Sequence, residues 1–235
     1  MPFSYPVFLE VAGQACVVVG GGPETLAKVR PLVEQGARVR VVVPASVAGL
    51  DELAAAHPGR LSVERRAYRD GDLAGAFLCI AATGDPALNA RVAAEARRER
   101  VLLNAVDDQQ HCQFATPSQV RRGDLVIAVG TGGRAPALAK RLRRELAERY
   151  GAEYGETAAL IGEVRAEARG CWSSFAGWAR RWEAVLDDQV AEVVELVRGG
   201  RRAEARALLL DRLTRPGAEP GAPPPGPDDD EPAEL

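Results

Sequence analysis

No run of apolar residues in this chain approaches the ~20 needed to span a bilayer as a helix, so nothing points to a membrane-spanning segment. Its N-terminus lacks both a basic leader and a long apolar stretch, which excludes an evident secretory signal and sets the expectation of a cytoplasmic protein. Cysteine is scarce. Cys16, Cys79, Cys112 and Cys171 are scattered with no CxxC spacing, which supports neither a disulfide framework nor a structural zinc site. With only His57 and His111, a His-rich metal centre is excluded too, and no metal site is expected. Cys16 and Cys79 sit inside apolar runs and read as small buried hydrophobes.

Basic residues are missing from the last 20 positions, "PGAEPGAPPPGPDDDEPAEL", which carry six acidic groups. That Pro-rich, acidic stretch has almost nothing to bury, and its composition predicts disorder over 215–235. Without it, 27 acidic residues face 30 basic ones, so the body is mildly basic. Such a balance suits a small anionic ligand. The basic residues lack interleaved aromatics or a nucleic-acid motif, so no nucleic acid is expected as a partner.

The first ~110 residues alternate β-branched runs with helical patterns, the mark of a parallel α/β sheet. "ACVVV" (15–19) reads as a first strand, 24–35 as a helix closed by Gly36, and "ARVRVVV" (37–43) as a second strand stopped by Pro44. "LSVERRAY" (61–68) is a weaker third strand, "AFLCIAAT" (76–83) a fully apolar fourth, and "VLLNAV" (101–106) a fifth. Between the last two, Asp85 is placed to cap a helix with Pro86 at its first position. "GDLVIAVGTGG" (123–133) is a further strand ending in a glycine turn, with Pro136 opening the next helix. From about 153 the pattern is helical, and Trp172, Phe175, Trp178, Trp182, Val185 and Leu186 recur at helical spacing, as core packing requires.

Glycines between a buried strand and a helix let the backbone approach a pyrophosphate, and the helix N-terminus then offers N–H groups to it. Here the fingerprint is Gly20-x-Gly22-x-x-Thr25, with threonine for the third glycine at some expected cost in helix–strand closeness. A tight turn that holds nothing remains the alternative. No Lys-Ser/Thr follows, which disfavours a triphosphate loop. The second strand ends in Val43-Pro44-Ala45-Ser46, without the acid that usually meets an adenosine ribose. Asp107 and Asp108 follow the fifth strand, where open α/β sheets place ligands; they read equally as a proton acceptor and as a solvated loop or helix cap. Asp108, His111 and Cys112 match no standard metal spacing, and a loop is the better reading. "GTGGRAPALAK" (130–140) repeats the anion-site logic, with Thr131, Gly132, Gly133, Arg134 and Lys140 as candidate ligand contacts. The arginines around it, including Arg121, Arg122, Arg141, Arg143 and Arg144, read as a solvated face or as partners for a polycarboxylate.

In order, "YPVFLEVAGQACVVVGGG" (5–22), "GARVRVVVP" (36–44), "AATGDPALNARV" (81–92), "NAVDDQQHCQFATPSQVRRGDLVIAVGTGGRAPALAKRLRRELA" (104–147) and "RRWEAVLDD" (180–188) resemble one family. It is the siroheme-synthase N-terminal module, comprising precorrin-2 dehydrogenases, some of them also sirohydrochlorin ferrochelatases. The resemblance implies a Rossmann-like NAD-binding domain at 1–113, a small α/β dimerisation unit at 114–150 and a helical domain at 151–214. It implies a homodimer, in the stand-alone form without a methyltransferase domain. It puts the catalytic aspartate on Asp107 and cofactor contacts on Gly20, Gly22, Pro23, Glu24, Pro44, Ala45 and Thr83. It makes precorrin-2 and sirohydrochlorin the tetrapyrrole ligands, with Fe²⁺ or Co²⁺ as a further substrate where chelation occurs. A non-enzymatic NAD-sensing dimer stays open as the alternative.

Overall fold

The computed structural model describes residues 5–169 and 175–214, the latter without the side chains of 175 and 176. The expectations for Cys171, Trp172, the Phe175 side chain and the tail at 215–235 lie outside the described residues. The chain divides into two compact units, Met1–Pro117 and Ser118–Leu235.

In the first unit, β1 (Ala15–Gly20), β2 (Arg38–Val43), β3 (Leu61–Arg65), β4 (Leu78–Ala82) and β5 (Leu102–Ala105) form one parallel sheet in the order β3-β2-β1-β4-β5. Helices α1 (Glu24–Glu34), α2 (Leu50–Ala56) and α3 (Pro86–Glu99) lie among them in sequence. Alternation along each strand splits the core into two layers. Cys16, Val18, Val39, Val41 and Ile80 pack with Val29 and Val33 of α1, while Val17, Val19, Cys79 and Leu103 pack with Val92, Ala93 and Ala96 of α3. Both faces are covered, which is why these strands read as continuous apolar runs. Burial raises the Cys16 thiol to about 11 and pushes Cys79 up as well, so both are inert core residues.

Two predicted boundaries held closely and one did not. Gly36 takes φ 84° just past α1, and the Asp85 side chain accepts from the Ala87 and Leu88 amides at 2.9 and 3.3 Å. The third strand, expected to reach Tyr68, stops at Arg65. Beyond it the Arg66 guanidinium holds both oxygens of Asp72 at 2.7 and 2.8 Å, and the Arg69 amide donates to Asp72 at 2.8 Å. Chiefly through Arg66, the Asp72 carboxyl lies below the usual carboxylate range. Tyr68 turns inward, and its hydroxyl donates to Glu95 of α3, a carboxylate that is 1% exposed. The Gly71 and Leu73 amides donate to the other Glu95 oxygen at 2.9 and 2.8 Å. One buried carboxylate thus fastens the whole 68–73 loop to α3.

The second unit opens with a hairpin, β6 (Ser118–Arg122) against β7 (Leu125–Val129). β6 escaped sequence reading because "SQVRR" has a single apolar residue, Val120, which is buried. Helices α4 (Pro136–Arg149), α5 (Ala152–Ala168), α6 (Phe175–Arg198) and α7 (Arg202–Thr214) complete it. Trp178 and Trp182 meet edge to face at 5.7 Å among Leu160, Val164, Leu209 and Leu213, so these aromatics are helix–helix core. Among the described residues, no helix is long and apolar enough to cross a membrane.

Glu95→Ala would leave the Tyr68 hydroxyl and two amides without their buried acceptor. The expected loss is about 3 kcal/mol, read as a lowered Tm, with Glu95→Gln losing less because its carbonyl still accepts. Stability should also fall as pH drops through and below ~4: the depressed Asp72 carboxyl contributes fully above its ordinary range and loses that contribution on protonation. Acid unfolding of wild type against Asp72→Asn checks this, the variant showing the shallower dependence.

Candidate functional site

From β1 the chain moves outward through β2 and β3, then returns to the other side of β1 as β4 and β5. That reversal opens a crevice at the carboxyl ends of β1 and β4, the place where open α/β sheets take ligands. Gly20 ends β1 there, in register with Ala82 of β4. A Cβ on Gly20 would stand 2.6 Å from the Thr25 hydroxyl and 2.8 Å from the Ala82 carbonyl, so the protein itself requires glycine. Thr25 corrects the expectation that it would cost closeness. It is fully buried, and its hydroxyl accepts from the Gly21 amide at 3.1 Å, cinching the loop onto α1. Gly20, rather than residue 25, supplies the space.

Gly22 differs. A Cβ there would meet no protein atom within 4 Å, and its φ is not in the left-handed region. The room it leaves lies on the open side of the loop, at the start of a helix whose N-terminus no side chain caps; Pro23 sits at the cap and Glu24 in the first turn. An uncapped helix start with an unobstructed glycine fits a pyrophosphate. Beside it, a cleft of about 250 Å³ is bounded by Val19, Val42, Pro44, Tyr68, Leu88 and Arg91. Below the ~300–1,000 Å³ typical of whole ligand pockets, it has room for one end of a dinucleotide. Of the seven residues expected to contact a cofactor, Gly20 and Pro44 line this cleft, and Gly22, Pro23, Glu24, Ala45 and Thr83 do not. Asp85 also lines the cleft, with one of its oxygens engaged in capping α3. Arg91 lies 5.9 Å over the Tyr68 ring and pairs with Asp70 at 3.1 Å. Tyr68 was missed from sequence because the loop that carries it was read as strand, and Arg91 because one arginine among several on α3 carries no signal of its own.

Across the crevice, Thr83 follows β4 and the two aspartates follow β5. Asp107 is exposed, with a left-handed backbone at φ 59° that few non-glycine residues other than Asp and Asn adopt. Asp108 is drawn inward, where His111 Nδ1 lies 2.7 Å and Asn89 Nδ2 3.4 Å from its Oδ2. The His111 hydrogen bond, with smaller help from Asn89, holds the Asp108 carboxyl below the usual range against partial desolvation. Cys112 is occupied with backbone, taking the Ala105 amide at 3.2 Å and facing the Ala105 carbonyl at 3.1 Å. Among the described residues no group of three or more His, Cys, Asp and Glu could hold a metal ion. The i, i+3 spacing of Asp108 and His111 was the sequence signal for their pairing.

The other candidates, Thr131, Gly132, Gly133, Arg134 and Lys140, lie in the second unit on one turn and the start of α4. Gly132 and Gly133 take φ 58° and 77°, the Thr131 hydroxyl accepts from the Ala135 amide at 3.3 Å, and no side chain caps α4 at Ala135. Arg134 and Lys140 are exposed. Arg122, counted with them in the sequence, instead donates to the Tyr150 and Ala147 carbonyls at 3.0 and 3.1 Å, at the far end of α4, and Arg141 pairs with Glu145.

Comparison with known proteins agrees with this layout. Residues 7–118 match a family model described as NAD(P)-binding, and residues 122–149 match the model of the sirohaem biosynthesis protein central domain. The chain is 39% identical over 208 residues to a siroheme synthase of Stutzerimonas stutzeri and 38% over 218 residues to one of Pseudomonas fluorescens. These alignments cover 88% and 93% of this chain but 44% and 46% of those proteins, so the chain spans less than half the length of the curated relatives it matches. The solved structure of SirC, precorrin-2 dehydrogenase, superposes with a TM-score of 0.68 at 25% identity, covering 89% of this chain and 98% of that one. The resemblance to the siroheme-synthase N-terminal module therefore holds over both matched segments and through the fold.

Gly20 and Gly22 should separate on substitution. Gly20→Ala is expected to cost about 1–3 kcal/mol and lower the Tm, because two close neighbours must shift. Gly22→Ala should leave the Tm unchanged and weaken NADH binding, by about tenfold if a methyl intrudes on the pyrophosphate. Differential scanning calorimetry and fluorescence titration read the two effects.

Proposed function

We propose, from a chain that shares the siroheme-synthase N-terminal fold, NAD(P)-binding match and central-domain match, that this protein is an NAD-dependent precorrin-2 dehydrogenase yielding sirohydrochlorin. The observation that carries the reading is the single carboxyl edge of the first unit. It bears an open, uncapped glycine loop at β1 and an exposed carboxylate, Asp107, just past β5.

Gly22 and the α1 N-terminus would hold the cofactor's pyrophosphate, and Gly20, Pro44, Tyr68 and Arg91 would enclose its adenosine end. Bound NAD⁺ supplies the two-electron acceptor. Asp107 then does the protein's part. Hydride loss leaves a cationic macrocycle, and an exposed carboxylate held in a defined backbone stabilises that charge. Precorrin-2 carries eight carboxylates, so the basic second-unit turn at Thr131–Arg134 and Lys140 is assigned to its acidic side chains. The assembly is read as a cytoplasmic homodimer. Insertion of Fe²⁺ or Co²⁺ would release two pyrrole protons, for which Asp107 is a ready acceptor.

Purified protein mixed anaerobically with precorrin-2 and NAD⁺ should produce NADH and sirohydrochlorin together, and a faster metal step on adding Fe²⁺ or Co²⁺ would add chelation. Asp107→Asn should lower kcat by about 100-fold or more while NADH binding stays unchanged. NADH binding without turnover by the wild type would favour the sensor reading instead.

A further inference from the structure

Hydrogen bonds lead from the end of β4 to Asp108, and of the two acceptors near the Thr83 hydroxyl, the Asp85 carbonyl at 3.2 Å and Asn89 Oδ1, the second is the closer. The Asp85 amide donates to the Thr83 hydroxyl at 3.1 Å, and that hydroxyl donates to Asn89 Oδ1 at 2.6 Å. With its carbonyl so engaged, Asn89, itself 3% exposed, must turn its amide nitrogen toward Asp108, whose Oδ2 it reaches at 3.4 Å. His111 Nδ1 approaches the same oxygen at 2.7 Å. An ionised carboxylate only accepts, so the proton of that contact sits on Nδ1. The other ring nitrogen, Nε2, has no hydrogen-bond partner among the described residues, and the side chain is 18% exposed. Three elements converge to build this pair: the end of β4, the first turn of α3 and the turn after β5. Beyond that contact the ring keeps a nitrogen with a free lone pair, on a residue four along the chain from Asp107.

We propose that His111 is the proton acceptor of the dehydrogenation, with Asp108 as its positioning residue. The inference rests on the dehydrogenase reading and divides its labour: Asp107 stabilises the cation, and His111 removes the proton. Oxidation of the substrate breaks one C–H bond, whose hydrogen and electron pair leave as hydride to NAD⁺. The resulting cation then loses one N–H or C–H proton to the Nε2 lone pair, neutralising the macrocycle. Asp108 balances the imidazolium that forms, as a carboxylate behind a histidine base does in other enzymes. The proton passes on to solvent, to which the side chain is 18% exposed. A cap that merely ties down the loop would need Nδ1 alone and would place no demand on Nε2.

The test uses His111→Ala, His111→Gln and Asp108→Asn in the full chain. His111→Ala is expected to lose about 100-fold in kcat with NADH affinity unchanged, and free imidazole should restore at least tenfold of that. Nitrogen-15 NMR of the histidine rings should show His111 protonated at Nδ1 in the wild type and a mixture of tautomers in Asp108→Asn. His111→Gln keeps a donor toward Asp108 and so preserves the loop. It should fold with the wild-type Tm yet share the kcat loss, which imidazole does not relieve while the glutamine fills the site. A His111→Ala or His111→Gln protein within twofold of wild-type kcat overturns the inference and leaves the dehydrogenase standing. So does a loss in His111→Ala that imidazole fails to rescue, or a wild-type His111 protonated at Nε2. A wild type that binds NADH without turning over precorrin-2 overturns the dehydrogenase reading first, and this inference with it.

Discussion

Burial of β1 from Cys16 through Gly20 is the constraint on which the first unit depends. β2 and β4 hydrogen-bond its two edges, α1 and its layer cover one face, and α3 with the Tyr68–Leu73 loop covers the other. The carboxyl end of the strand is where such a sheet takes a ligand. At that end the packing is so close that Gly20 admits no side chain, with the Thr25 hydroxyl and the Ala82 carbonyl already in contact range. The tightness is what brings α1 near enough to aim its N-terminus into the crevice. The glycine that is sterically demanded and the glycine that is left open, Gly20 and Gly22, are two residues apart and serve different ends.

Helix α3 unifies the rest of that edge. Its N-cap Asp85 and its residues Leu88 and Arg91 line the cleft, Asn89 reaches across to Asp108, and Glu95 anchors the loop that brings Tyr68 to the cleft wall. One helix therefore sets the position of the cleft, the acidic turn after β5 and the loop between β3 and β4. The side of the helix that faces the sheet is filled by Val92, Ala93 and Ala96, so its rotation about its own axis is locked by packing. Polar residues placed on such a helix inherit that precision, which a free loop could not provide.

The second unit is built on different terms. The first strand of its hairpin, β6, has a single apolar residue while β7 is apolar throughout, and Gly155 of α5 comes so close to β6 that a Cβ would stand 2.4 Å from the Arg122 carbonyl. Arg122 is spent on closing the far end of α4 rather than on the basic face. What stays exposed is the end of the turn at Gly133 and Arg134, with Lys140 beyond it.

Strand runs such as "ACVVV" and "FLCIAA" were legible because a parallel sheet buried on both faces demands consecutive apolar residues, and no other local pattern explains them. The caps at Asp85 and Gly36 were legible for a like reason, since backbone geometry dictates those residue types. Asp107 and the two glycine turns could be picked out as candidates on position and spacing. The contacts that give them meaning could not. Thr25 looked like a defect in the fingerprint until its hydroxyl was seen on the Gly21 amide, and Tyr68 looked like strand until Glu95 claimed it. His111 was one polar residue in a loop until Asn89, 22 positions earlier, and Asp108 met at one oxygen. Local sequence determined most of the strands, helices and turns, because propensity and periodicity act over a few residues; β6 and the Tyr68 loop, whose burial comes from distant partners, were the exceptions. Which distant side chains share a hydrogen bond was decided only by tertiary structure, because that depends on how the packed layers bring the carboxyl ends of separate strands together.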